Sequence, residues 1–117
     1  MQQLQAIIAL AALAQDTRLS VFRLLVQAGP EGMIAGAIAE AMDVPPSTMS
    51  HHLTKLKHAG LVVSQRESRL IRYAADYAGM QALLAFLMAD CCRGHPEMCA
   101  DLLSAIRCDV LPEGASA

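Results

Sequence analysis

Aromatic residues are scarce in this chain of 117 residues: two phenylalanines, two tyrosines and no tryptophan, 3 % in all. No apolar run reaches the ~18 residues of a membrane span, so no segment reads as transmembrane and no membrane partner is expected. Residues 1–15, MQQLQAIIALAALAQ, contain neither Lys nor Arg. Without a basic n-region they read as an ordinary first helix rather than a signal peptide, and the chain as cytoplasmic. Cys-x-x-Cys is absent, as is any βαβ pattern or nucleophile–base constellation, which argues against a small thiol enzyme. The expectation is a non-enzyme with no catalytic residues.

What is abundant is aliphatic. Apolar residues make up 55 % of a chain of one domain's length. So large an excess implies that some apolar surface is covered by a partner, a second copy of the chain being the simplest. The net charge of −2 at first argues against nucleic acid. Its distribution argues the other way. Residues 46–72 carry Lys55, Lys57, Arg66, Arg69 and Arg72 against Glu67 alone, which is +4 and leaves −6 for the remainder. A basic patch on an acidic body is an electrostatic footprint for phosphate, although a solvated charged face would look the same.

Hydrophobic spacing predicts a first helix over about 3–14, with Leu4, Ile7, Ile8, Ala11 and Ala12 in register. Asp16 reads as the N-cap of a second helix carrying Leu19, Phe22, Leu25 and Val26, ended by Gly29-Pro30. A short helix over about 34–42 is followed by a tight turn at Asp43-Val44-Pro45. Pro46 suits the first position of a helix over about 46–58, because its missing N–H would have no partner there. In that helix Met49, Leu53 and Leu56 share one face, and Gly60 closes it. Residues 61–66 and 70–74 read as two strands joined through Glu67-Ser68-Arg69. A long helix over about 77–92 carries Met80, Leu83, Leu84, Leu87 and Met88. Gly94-His95-Pro96 interrupts it before a final helix over about 96–107.

Helix–turn–helix followed by a basic-tipped hairpin suggests a winged helix-turn-helix, mainly α with a small β wing (α+β). A helix fits the major groove of B-DNA, and the hairpin tip can lie along the neighbouring backbone. The run Val44-Pro-Pro-Ser-Thr-Met-Ser-His-His-Leu-Thr-Lys-Leu-Lys-His-Ala-Gly-Leu-Val62, with Ile38-Ala-Glu-Ala-Met42 before it and the wing from Arg66 to Tyr73 after it, resembles the ArsR/SmtB family of metal-responsive repressors. The resemblance covers roughly residues 4–90. It implies that Ser47, Thr48, Ser50, His51 and His52 face the groove, that Lys55 meets phosphate, and that Arg66, Arg69 and Arg72 serve the wing. It also implies a homodimer on an inverted repeat of double-stranded operator DNA. Residues 1–15 and 77–92 would be the dimerisation helices of a single domain spanning 1–117, with 91–117 as a C-terminal sensor segment.

Four cysteines occur, three of them in Asp90-Cys91-Cys92-Arg93-Gly94-His95-Pro96-Glu97-Met98-Cys99. A cysteine motif common in the family on the first helix of the helix-turn-helix is missing, since Gly32–Ile38 holds no cysteine. The family's zinc site on the last dimer helix also lacks its residues, because Asp76 and Asp90 have no His at the needed spacing. The cluster instead resembles that of arsenite-responsive members. Trivalent arsenic is soft and takes three thiolates in a pyramid, which selects it over hard cations. In an unbroken helix Cys92 and Cys99 would lie about 10 Å apart along the axis. Gly94 and Pro96 break the helix and let the chain fold back. Cys91, Cys92 and Cys99 are therefore the candidate ligands of arsenite as inducer, with antimonite a related possibility and Cys108 a bystander. Thiol redox or reactive-sulfur sensing, and Zn, Cd or Pb sensing, are the alternatives on the same fold.

Overall fold

In the computed structural model of the chain, residues 1–89 are described. Two helices open the chain, α1 (Gln3–Leu13) and α2 (Asp16–Ala28). The cap of α2 is Gln15 rather than Asp16: its side-chain oxygen accepts the Arg18 N–H at 2.8 Å, which places Asp16 in the first turn, where the helix dipole favours a carboxylate. A two-residue strand, β1 (Met33–Ile34), precedes α3 (Ala35–Met42), then α4 (Pro46–His58), β2 (Val62–Glu67), β3 (Leu70–Ala75) and α5 (Tyr77–Leu87). One compact unit runs Met1–Leu87.

The helix-turn-helix is α3 and α4 with three residues between them. Asp43 adopts the left-handed conformation at φ 55, and the Val44 N–H reaches back to the Ala39 carbonyl at 3.0 Å. That wrap satisfies carbonyls at the end of α3 and turns the chain sharply. Pro45 is extended and Pro46 begins α4, as expected. The same device ends α4: Gly60 takes φ 78 and the Leu61 N–H bonds the Leu56 carbonyl at 3.0 Å. Both leucines are buried, so the wrap also closes the core beneath it.

The wing is antiparallel, β2 against β3, with Val62 opposite Ala75 and Glu67 opposite Leu70. The tip is therefore only Ser68 and Arg69, because Glu67 still pairs. The hairpin expected from sequence becomes a three-stranded sheet of order β1-β3-β2, since Met33 and Ile34 pair with Tyr73 and Arg72. Val62, Ile71, Tyr73 and Ala75 turn toward the helices and join a core with Val21, Phe22, Leu25, Ile38, Met49, Leu53, Leu56 and Leu61.

Helix α1 inverts part of the sequence expectation. Its buried residues are Ala6, Ala9 and Ala12, whereas Leu4, Ile7 and Ile8 are 67 %, 52 % and 46 % exposed. Small residues let α1 approach its neighbours closely, and the large ones are left outside. Helix α5 repeats the pattern: Leu83 is buried while Leu84 and Leu87 are half exposed. The helix expected over 77–92 runs Tyr77–Leu87, with Met88 and Ala89 in a turn. Its cap is Asp76, whose carboxylate accepts the Gly79 N–H at 2.9 Å. The helix expected over 96–107 lies outside the described residues. No helix among the described residues is long and apolar enough to cross a membrane.

Candidate nucleic-acid interface

Helix α4 rests on the core through Met49, Leu53 and Leu56, a spacing of four and three that defines its inner face. The opposite face is polar. Ser47, Thr48, Ser50, His51, Thr54, Lys55 and His58 are all exposed. Pro46 at the start of α4 leaves the next backbone N–H groups pointing outward at the positive end of the helix dipole, a disposition suited to phosphate. Thr54 and His58 were not among the residues singled out from sequence. Their places, Thr54 one turn and His58 two turns beyond Ser50 and His51, follow once the inner face of α4 is known.

His52 differs from its neighbours. It is half-buried, and its Nδ1 lies 3.3 Å from Arg18 Nη1. The same guanidinium donates through Nε to the Ala12 carbonyl at 2.7 Å. Arg18, absent from the sequence reading, thus bridges the end of α1, the start of α2 and the middle of α4. Burial first, then the Arg18 charge and then His51 hold His52 below the usual histidine range.

The basic residues of the wing also divide. Arg66 and Arg69 are exposed and make no ion pair among the described residues. Arg72 donates through Nε to the Glu67 carboxylate at 3.0 Å and reaches the Glu31 carbonyl at 3.4 Å. It stands on the central strand and ties the wing tip to the loop before β1. Lys57, part of the basic stretch, donates to the Ser64 hydroxyl at 2.7 Å and joins α4 to β2. Cys91, Cys92 and Cys99, with Cys108, lie outside the described residues. Among the described residues no group of His, Cys, Asp or Glu is gathered as a metal site would need.

Comparison with known proteins agrees with this geometry. A family described as a helix-turn-helix domain matches residues 13–65. A Halobacterium salinarum protein carrying the name arsenical resistance operon repressor ArsR is 34 % identical over 76 residues, 65 % of this chain and 58 % of its own length. The Escherichia coli HTH-type transcriptional regulator YgaV is 30 % identical over 83 residues, 71 % of this chain and 82 % of its own. Among solved structures, the homodimeric winged helix-turn-helix DNA-binding domain Mb0332 of Mycobacterium bovis, described as a possible ArsR-family regulator, superposes with a TM-score of 0.59. It is 31 % identical over 74 % of this chain and 79 % of that one. The chain belongs to the ArsR family. It has the winged helix-turn-helix fold of that family, and α3–α4 with the β2–β3 wing are its helix-turn-helix and wing. The chain spans about three fifths of the length of the first curated relatives it matches, 58 % and 62 %.

Proposed function

We propose that this ArsR-family chain is a repressor that binds an inverted-repeat operator as a homodimer and is released when trivalent arsenic binds Cys91, Cys92 and Cys99. The observation that carries the DNA reading is the outer face of α4. Seven polar side chains stand exposed on a helix whose inner face is fixed in the core, with the exposed Arg66 and Arg69 on the adjoining wing. In this reading Ser47, Thr48, Ser50, His51 and His52 address base edges, Lys55 meets phosphate, and Arg66 and Arg69 serve the backbone beside the groove. Arg72 acts through Glu67, by holding the wing in shape.

The dimer reading is supported by the apolar outer faces of α1 and α5. These two helices touch each other and leave Leu4, Ile7, Leu84 and Leu87 without cover in the single chain. Exposed aliphatics gathered on adjoining helices mark an interaction surface. The arsenic reading is supported by the Cys-Cys…Cys spacing and by the name of the Halobacterium relative.

The test is fluorescence anisotropy of labelled operator under a strong reductant, which excludes a disulfide switch. Arsenite is expected to weaken binding by about 5–150-fold, the usual range of allosteric coupling. Cys91→Ser, Cys92→Ser and Cys99→Ser are each expected to bind operator but to ignore arsenite, because a hydroxyl is a poor ligand for a soft centre. Cys108→Ser is expected to respond as the unaltered protein does. Release of Cys99→Ser at unchanged arsenite concentrations would overturn the three-thiol site. Release by zinc, cadmium or lead but not arsenite would overturn the choice of inducer.

A further inference from the structure

The Arg18–His52 contact joins two parts of the molecule that the proposed function uses separately, the α1 face and the α4 face. Arg18 sits in the first turn of α2. Its Nε holds the Ala12 carbonyl, one of the last of α1, where a cation also complements the helix dipole. Its Nη1 reaches His52 Nδ1 at 3.3 Å, across 34 residues of sequence. A guanidinium has donors only, so His52 Nδ1 must be the acceptor. A neutral imidazole accepting at Nδ1 carries its proton on Nε2.

We infer that Arg18 is a positioning residue for operator reading: it fixes His52 as the Nε2–H tautomer and ties α4 to the end of α1, so that acidification costs the protein its sequence preference. The inference rests on the reading of α4 as the recognition helix. Two charged or titratable groups face the His52 ring. Arg18 approaches from α2, and His51 is its neighbour on α4, with ring centroids 6.1 Å apart. From α1 only the Ala12 backbone carbonyl takes part, through Arg18. Among the described residues no carboxylate pairs with Arg18 or His52 to offset a second positive charge. Protonating His52 therefore removes the acceptor and sets two cations against each other, releasing α4 from α1. The proton gained by His52 also adds a positive charge to α4, which strengthens binding to any duplex. Total DNA affinity and sequence preference are thus expected to move in opposite directions as pH falls.

The ring can be read directly. In the reduced full chain without DNA, nitrogen-15 NMR is expected to show His52 unprotonated at Nδ1, protonated at Nε2, and titrating below the ordinary histidine range. In Arg18→Gln its titration is expected to move up toward that range. A duplex enriched from a random pool by the protein at about pH 7.5 is then compared with unselected duplex there and at about pH 5.5. Unselected DNA should bind more tightly at the lower pH, while the preference ratio falls about tenfold, the scale of one lost base-edge contact. His52→Gln keeps an oxygen that can accept from Arg18 and does not titrate, so its ratio should hold across the same range. A thermal melt checks that Arg18→Gln folds. If it does not, the ring of the unaltered protein and the His52→Gln ratio decide the matter. An Nδ1–H tautomer, titration of His52 at the ordinary histidine value, or an equal fall of the ratio in His52→Gln would each overturn the inference. Enrichment of no duplex at all would overturn the operator reading instead, and the ring measurement would tell the two failures apart.

Discussion

Gly79 lies so close to the carbonyl of Gly60 that a Cβ there would run into it. Gly60 ends the turn that closes α4, and Gly79 is in the first turn of α5, so the apolar-faced helix sits directly on the end of α4. The Asp76 N–H, donated to the Leu61 carbonyl at 2.8 Å, holds the same junction. Because the obstructing atom is backbone, no rotamer change relieves the clash. Gly79→Ala is expected to lower stability by about 1–3 kcal/mol, the usual cost of overpacking, despite alanine's better helix propensity. Denaturant melts check this, and a melt unchanged or raised would show that α5 does not rest on Gly60.

Lys55 and Lys57 are two residues apart and have different work. Lys55 is exposed on the outer face of α4, whereas Lys57 is held by Ser64. Lys55→Met is expected to reduce the slope of log affinity against log salt by about 1, the signature of one lost phosphate contact. Lys57→Met should leave the slope alone and cost less than about 1 kcal/mol of stability, as an exposed side-chain bond does. The wing repeats the contrast: Arg69→Ala should lower the slope, and Arg72→Ala, whose charge is already paired with Glu67, should lower it less. Equal slopes for Lys55→Met and Lys57→Met would show that the outer face of α4 has been misplaced.

The helix-turn-helix was legible because its punctuation is local. Pro46 and Gly60 bracket α4, and the four-and-three spacing of Met49, Leu53 and Leu56 orients it within one turn. Strand β1 was not legible, since two residues carry no period, and Met33 and Ile34 are a strand only because β3 pairs with them. The stripe on α1 was misleading for another reason. That helix is apolar around nearly its whole circumference, so spacing cannot tell the inner row Ala6, Ala9, Ala12 from the outer row of leucine and isoleucine. Arg18 and His52 are far apart in sequence, and nothing local marks either as the other's partner. Of the proposed sites, the α4 and wing residues were read from exposed positions whose elements were predicted, whereas the roles of Arg72 and Lys57 depend on cross-element contacts.

His52 also makes stability depend on pH. Its folded-state pKa lies below the ordinary histidine value, which the unfolded chain retains. The unfolded chain therefore takes up the proton first, and falling pH favours unfolding. The stabilisation from a neutral His52 is complete above the ordinary range near 6.5 and is lost as pH falls through it toward the depressed value. Urea melts across that window should show a steeper loss for the unaltered protein than for His52→Gln. Parallel losses would mean that the Arg18 contact does not discriminate between the two forms of the ring.

The two faces of α1 can be separated by substitution. Ala9 has no exposed surface, and nothing larger fits without displacing α1, so Ala9→Leu is expected to lower stability by about 1–3 kcal/mol, the cost of an overpacked core. Ile7 is half exposed in the single chain, so Ile7→Lys should cost the fold less than about 1 kcal/mol. In a dimer built on α1 and α5 the same lysine would bring an unpaired charge into an apolar interface, which is strongly unfavourable. Leu84→Lys on α5 carries the same expectation. Sedimentation at micromolar concentration should therefore find the unaltered protein dimeric, Ala9→Leu dimeric but less stable, and Ile7→Lys and Leu84→Lys monomeric with near-normal melts. Both monomeric variants should also bind an inverted repeat no better than a single half-site, because the gain from joining two recognition helices is lost. Ile7→Lys and Leu84→Lys remaining dimeric would remove the outer faces of α1 and α5 from the interface.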